Sequence, residues 1–221
     1  MIDLHNHLLP GVDDGSRSVA QSLRVLSAFA AQGVTAVCLT PHLMASDAAG
    51  GRPADHDLAF AALLAAAPTT PRLLRGAEIM LDRPLPDSVA RQRSVTLNGT
   101  QYALVEFTRM VTFQTAAAAL AHVVELGLVP VLAHPERYAC CTPEVVRRWR
   151  SLGAVMQVDG TTLATARDFL REHGGGVQSD LLLDTNPAAN VAGGHLEEVP
   201  PLPLRTGVIS RLRNLLSEGD S

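Results

Sequence analysis

Tyr102-Ala-Leu-Val-Glu-Phe107 is a short apolar run, Thr115 to Gly127 reads as a helix ended by a glycine cap, and Val129-Pro-Val-Leu-Ala133 is apolar again before His134. Strand, helix, strand in that order is the unit from which parallel sheets are built. The pattern continues outward in both directions. Toward the C-terminus, a helix from Pro143 to Leu152 precedes a strand from Ala154 to Val158. Toward the N-terminus, Ile2 to Leu4 is a short strand, and Ser18 to Gln32 carries Leu23, Leu26, Phe29 and Ala30 at helical spacing. Val34 to Leu39 reads as a buried strand, Asp55 to Ala66 as an Ala/Leu helix, and Leu73 to Ile79 as one further strand. Val95 to Leu97 and Tyr102 to Phe107 flank Asn98-Gly99, a strong signal for a hairpin turn. Near-continuous apolar strands alternating with helices predict an α/β fold with a parallel sheet covered by helices. There is no internal repeat.

The segment 174–221 differs in kind. Gly174 to Gly176, Asn186-Pro187, Gly193-Gly194 and the proline-rich stretch from Pro200 to Pro203 describe an irregular C-terminal wrap, with a last short helix near Val208 to Leu216. The whole of 1–221 is expected to form one domain, since this length suits a single α/β barrel. Apolar residues make up 47% of the chain, enough for a sizeable core. The formal net charge is −4 and all 18 basic residues are arginine, which argues against a large basic face for nucleic acid. No apolar run is long enough to span a bilayer, and the first residues lack the pattern of a signal peptide. Cys38, Cys140 and Cys141 cannot all pair and have no metal-type spacing, so a reducing cytoplasm is the simplest expectation.

The polar residues fall at particular places. His5 and His7 follow the first strand, and His42 follows the second within Thr40-Pro41-His42. Glu78 ends the third, Glu106 closes Tyr102 to Phe107, and His134 follows Val129 to Ala133. A single strand-end histidine or glutamate is ordinarily a hydrogen-bonded or ion-paired surface residue. A set of them on successive strands converges, because the C-terminal strand ends of parallel α/β folds surround the active site. His-x-His on an extended chain puts both imidazoles on one face. Imidazoles mixed with carboxylates suit Mn²⁺, Zn²⁺ or Fe²⁺, and a bridging carboxylate suits a two-ion site for phosphoryl transfer. His56, His122, His173 and His195 lack such positions and are expected to be solvated or on helix faces.

One pattern points elsewhere. Cys141 and Arg147 have the Cys-x5-Arg spacing of cysteine-dependent phosphatases. That loop needs small residues wrapping a phosphate around a thiolate. Here the interval carries Glu144, has no glycine and starts a helix at Pro143, so chance spacing is the better reading.

Met1 to Gly15 with its Val12-Asp13-Asp14-Gly15, Thr40-Pro41-His42, Gly76-Ala77-Glu78-Ile79, Ala103 to Phe107 and Ala133-His134-Pro135-Glu136-Arg137-Tyr138 together resemble the PHP (polymerase and histidinol phosphatase) superfamily. Within it, they resemble the CpsB/CapC-type bacterial tyrosine phosphatases of capsule and exopolysaccharide loci, in order and spacing from residue 1 to about 165. The resemblance implies a distorted (β/α)7 barrel with a metal cluster, commonly two or three manganese ions, at the strand ends. It implies His5, His7, Asp14, His42, Glu78, Glu106 and His134 as ligands, with Glu106 as the bridge and Arg137 holding the phosphate. Asp13 would orient the turn. A metal-bound hydroxide would attack phosphorus, and a phosphorylated tyrosine kinase of polysaccharide export would be the substrate. Homo-oligomers are compatible with it.

The family also has a late strand ending in Ser-Asp-x-His. Here Ser179-Asp180 is followed by Leu181-Leu182, and Ala166 to Asn190 better matches the family's last helix and closing Asn-Pro. One strand–loop unit is therefore expected to be missing near Thr165 to Arg167, with Asp159 the candidate substitute ligand. A phosphatase of small phosphate esters and a non-catalytic member with an incomplete metal site stand as alternative readings.

Overall fold

The structure, a computed structural model, describes residues 2–157 and the two short antiparallel strands Val191–Ala192 and His195–Leu196. Apart from those two strands, the expected C-terminal wrap with its last helix, Asp159, and the segment around Thr165 lie outside the described residues.

The fold is mixed α/β. The elements run β1 (Ile2–Asp3), α1 (Val19–Ala31), β2 (Ala36–Leu39), β3 (His42–Met44), α2 (Ala54–Ala66), β4 (Arg72–Arg75), β5 (Glu78–Met80), α3 (Asp87–Gln92), β6 (Tyr102–Glu106), α4 (Phe113–Glu125), β7 (Val129–Ala133), α5 (Pro143–Ser151) and β8 (Val155–Gln157). One sheet has the order β1-β2-β4 and the other β3-β5-β6-β7-β8, with every pairing parallel.

Helix starts follow from capping. Ser18, Thr112 and Thr142 accept hydrogen bonds from the backbone N–H of Gln21, Thr115 and Val145, which α1, α4 and α5 would otherwise leave unpaired. Gly127 takes a positive φ of 78° just past α4, as a terminating glycine does. The short helix α3 has no counterpart among the elements expected from sequence, because six residues are too few to show a helical period.

Two expectations are corrected. Leu73 to Ile79 is not one strand. Its first half is β4 in the smaller sheet, and its second half enters the larger sheet as β5 after a break at Gly76-Ala77. The chain makes the same transfer from β2 to β3 at Thr40-Pro41. Gly76 suits this crowded transfer, since a Cβ there would lie 3.0 Å from Cys38 Sγ and 3.2 Å from both Leu97 Cδ2 and Thr40 Cγ2. Nor do Asn98 and Gly99 make a hairpin. Both have the positive φ that an Asn-Gly turn needs, 51° and 73°, but the turn is a lone 3₁₀ segment, Leu97–Gly99. The edges of β6 are already occupied by β5 and β7, so residues 95–97 have nowhere to pair. Val95 and Leu97 are buried as core residues instead.

Strand alternation distributes the core. Ala36 and Cys38 of β2, Leu104 of β6, and Val131 and Ala133 of β7 join Ile2, Leu4, Leu74 and Leu97 in an inner apolar layer fed by both sheets. Their neighbours Val37 and Leu39 turn outward against α1 and α2. Ala103, Val105 and Leu132 turn outward among residues of α3, α4 and α5, including the fully buried Trp149. Apolar residues on both faces explain why these strands read as continuous hydrophobic runs.

Candidate metal centre

The strand breaks and strand ends gather the polar residues on one side of this framework. Beyond β1 the chain leaves the sheet, yet His5 and His7 still face the same way. Asn6 turns aside, donating to Asp3 Oδ1 and to the Cys38 carbonyl, while Asn6 and Thr40 exchange backbone and hydroxyl hydrogen bonds. This lashes the His5–His7 loop to the end of β2. His42 and Glu78 are first residues of β3 and β5 and stand opposite each other in register, a consequence of the strand breaks rather than of strand ends. Glu106 ends β6, and His134 follows β7.

Glu78 is the centre. Its side chain is fully buried, with Oε1 3.0 Å from His5 Nε2 and 2.9 Å from His134 Nε2. Oε2 lies 3.3 Å from His7 Nε2 and 3.2 Å from His42 Nδ1. Glu106 reaches His42 Nδ1 at 2.9 Å and His134 Nε2 at 3.8 Å. Asp14, which is well exposed, is 3.4 Å from His42 Nε2. The carboxylate touching all four imidazoles is therefore Glu78, while Glu106 flanks it. The rings lie close together, with centroids 5.5 Å apart for His5 and His7, 5.5 Å for His5 and His134, and 4.5 Å for His7 and His42.

Asp13 and Tyr138 support these groups. Asp13 is nearly buried and accepts from His7 Nδ1 at 2.9 Å and from the backbone N–H of His42 and of Gly15. An acceptor behind a ring fixes which nitrogen carries the proton and leaves the other facing inward. The Tyr138 hydroxyl accepts from the Phe107 N–H and donates to the Ala133 carbonyl, tying together the ends of β6 and β7. His134 has φ 33° and ψ 56°, a left-handed conformation that costs a non-glycine residue about 1–3 kcal/mol and persists only where the surroundings impose it.

The electrostatics call for positive charge. Burial alone would raise Glu78, but the imidazoles of His134, His5 and His7 against it carry its carboxyl far below the usual range. Burial alone would lower His7, but Asp13 and Glu78 raise it to about 10. His42 is raised chiefly by its hydrogen bond to Glu106.

The donor set fits a metal. Ligand atoms of His5, Glu78 and His134, of His7, Asp14 and His42, and of His42, Glu78 and Glu106 lie within 4.8 Å of one another in each group. Glu78 Oε2 faces the His7 and His42 nitrogens at 3.3 and 3.2 Å yet makes no hydrogen bond of good geometry, and such an under-satisfied buried atom at a functional site calls for an explanation such as an ion. Imidazole nitrogen with carboxylate oxygen is a donor mixture that transition metals favour.

Arg137 lies in the 3₁₀ turn immediately after His134 and is exposed. The Cys141–Arg147 pattern is dismantled by the structure. Burial, with Glu136 nearby, pushes the Cys141 thiol up to about 11, the opposite of what a nucleophilic thiolate needs. Arg147 ion-pairs with Glu144 at 2.8 Å. His56 lies on α2, as a helix-face residue would, but on its buried side, and burial lowers its pKa. His122 is partly buried with Nε2 2.9 Å from the Leu85 carbonyl, and His173 lies outside the described residues. Sequence reasoning missed Tyr138 and Gln157, a residue behind His5, because neither type announces itself as part of a metal site.

The chain is similar to known proteins. The chain is 26% identical over 181 residues to the tyrosine-protein phosphatase CpsB of Streptococcus agalactiae, covering 78% of this chain and 73% of that protein. It is 29% identical over 170 residues to the tyrosine-protein phosphatase YwqE of Bacillus subtilis, covering 74% and 66%. Among solved structures it matches one from a study of YwqE from B. subtilis and CpsB from Streptococcus pneumoniae, described as metal-dependent tyrosine phosphatases. That match has a TM-score of 0.60 and 27% identity over 74% of this chain and 68% of the other. The family model for capsular polysaccharide synthesis proteins CpsB/CapC spans residues 1–172, so with His5, His7, His42, Glu78, Glu106 and His134 all inside that span, the chain belongs to the CpsB/CapC family.

Proposed function

We propose that this protein is a metal-dependent protein-tyrosine phosphatase whose ions are held by His5, His7, Asp14, His42, Glu78, Glu106 and His134. The observation that carries the reading is the fully buried Glu78 carboxylate met by four imidazoles, in a chain whose relatives are named tyrosine phosphatases. A buried carboxylate ringed by nitrogen donors is expensive to maintain for packing alone. Bound divalent ions, manganese in this proposal and two or three in number, would lower the pKa of a water molecule and neutralise charge on phosphoryl oxygens. Glu78, touching all four imidazoles, is the better placed of the two buried glutamates to be shared between ions.

The chain's own residues do the rest. Asp13 holds the His7 ring so that Nε2 faces inward. Arg137 presents a planar guanidinium to the phosphate, suited to two oxygens at once. The phenol leaving group and the exposed rim near Asp14 and His42 are compatible with a protein substrate. A phosphorylated tyrosine kinase of polysaccharide export is that substrate in our reading. The inner apolar layer shared by both sheets supports a distorted PHP-type barrel short of one late strand–loop unit. No helix among the described residues is long and apolar enough to cross a membrane.

The test is hydrolysis of a phosphotyrosine peptide with added Mn²⁺, beside an EDTA-treated sample and a His5→Ala variant. Metal-dependent turnover lost in both controls is the expected result. Folded protein that binds Mn²⁺ without turnover would instead favour a non-catalytic member, and brisk hydrolysis of small esters alone would favour a different substrate class.

A further inference from the structure

Gln157 ends β8 and is partly buried. Its side-chain oxygen lies 3.3 Å from the backbone nitrogen of His134 and 2.7 Å from Nδ1 of His5. A backbone N–H can only donate, so the Gln157 atom in front of it must be the amide oxygen. The opposite amide orientation would set donor against donor. An amide oxygen can only accept, so His5 Nδ1 must carry a proton. Nε2 is then the nitrogen left to take a cation, a proton in the metal-free protein or a metal ion when one is bound. That nitrogen is 3.0 Å from Glu78 Oε1. That separation suits such a shared cation, since a bare nitrogen lone pair and a carboxylate oxygen would repel there.

We infer that Gln157 is a positioning residue for the metal centre: it holds His5 with the proton on Nδ1 and turns Nε2 toward Glu78. The inference rests on the metal reading above. Gln157 reaches His5 across 152 residues of sequence, so β8 reaches the loop after β1 directly at the centre. Through the His134 N–H the same oxygen also steadies the left-handed residue that carries a second imidazole. Gln157 thus serves His5 as Asp13 serves His7, with a neutral acceptor in place of a charged one. Residues behind metal-binding histidines set both ring orientation and tautomer.

The experiment uses the full chain, Mn²⁺ alone as the probe, and two substitutions. Gln157→Leu keeps the approximate size and removes the acceptor, whereas Gln157→Glu keeps an acceptor. Isothermal titration should show Mn²⁺ binding about 10–100-fold weaker in Gln157→Leu, and within about threefold of wild type in Gln157→Glu. A purely structural role predicts lower melting temperatures without this rescue of affinity. Equal Mn²⁺ affinity in wild type and Gln157→Leu would overturn the inference while leaving the metal reading intact. Wild type taking up no Mn²⁺ would sink the metal reading instead. In that event ¹⁵N-histidine NMR still decides the point. A hydrogen-bonded Nδ1–H at His5, present in wild type and lost in Gln157→Leu, supports the role of Gln157, and its absence from wild type overturns it. The wild-type spectrum also stands as the test if Gln157→Leu does not fold.

Discussion

Gly15 closes the Val-Asp-Asp-Gly turn beneath His7, and replacing it with alanine should disable the centre through sterics alone. A Cβ on Gly15 would sit 2.1 Å from the His7 carbonyl oxygen and 2.3 Å from His7 Cβ, well inside the 3.0 Å that real Cβ contacts respect. Both obstacles are backbone or the base of a side chain, so neither can swing aside. The loop must open, and opening it breaks the Ser16 N–H bond to the His7 carbonyl (2.8 Å) and the Gly15 N–H bond to Asp13 Oδ1 (3.0 Å). Two hydrogen bonds at about 1 kcal/mol each, with about 1–3 kcal/mol of overpacking strain, give a loss of about 3–5 kcal/mol. His7 and Asp13 move with the loop, so Mn²⁺ binding should weaken as well. Gly33 is the control. It has a positive φ of 82° with nothing within 4 Å of its would-be Cβ, so Gly33→Ala should cost only the conformational term, about 1–2 kcal/mol, and leave metal binding unchanged. Urea melts of metal-free protein measure the first quantity, and Mn²⁺ titration the second. A Gly15→Ala protein within about 1 kcal/mol of wild type, with unaltered Mn²⁺ affinity, would refute the steric argument.

Other consequences can be checked on the same material. Arg137→Ala should raise KM or lower turnover of a phosphotyrosine peptide while metal content by elemental analysis stays at the wild-type level; loss of metal would remove its phosphate-binding role. Cys141→Ser should leave turnover unchanged, because a thiol pushed up to about 11 supplies almost no thiolate at neutral pH, and an inactive variant would revive cysteine chemistry. In metal-free protein, Glu78 is lowered from 4.5, so its contribution to stability is present above about pH 4.5 and is lost as acid protonates it. His7 is raised from 6.5 to about 10, so its contribution is complete below pH 6.5 and is lost as the pH climbs through 10. Denaturant melts of EDTA-treated protein should therefore show stability falling between pH 6.5 and 10, a trend that added Mn²⁺ should reduce by taking the place of the protons. A flat profile in the metal-free protein would contradict the assigned pairing of His7 with Asp13 and Glu78.

Much of the molecule was legible in one dimension. Apolar runs such as Val129 to Ala133 announce strands buried on both faces, Leu23, Leu26 and Phe29 at helical spacing announce a helix, and Gly127 announces an end, because each is a local energetic preference. The candidate ligands were legible for a related reason: an imidazole or carboxylate beside the end of an apolar strand is a local anomaly. What stayed hidden depends on which segments meet. Leu73 to Ile79 looks like one strand because nothing local reports that Cys38, Leu97 and Thr40 crowd Gly76 at the transfer between sheets. Asn98-Gly99 formed the expected left-handed turn, and only the prior occupation of both edges of β6 prevented a hairpin. The central place of Glu78 comes from the register that sets it opposite His42, and the part played by Gln157 from a contact spanning 152 residues. Sequence by itself determined most of the strands and helices and the candidate ligands, since backbone preference and side-chain polarity act over a few residues. Only the tertiary structure decided which carboxylate stands at the centre and which acceptors orient its histidines, since hydrogen bonds and charge act over a few ångströms of space whatever their separation along the chain.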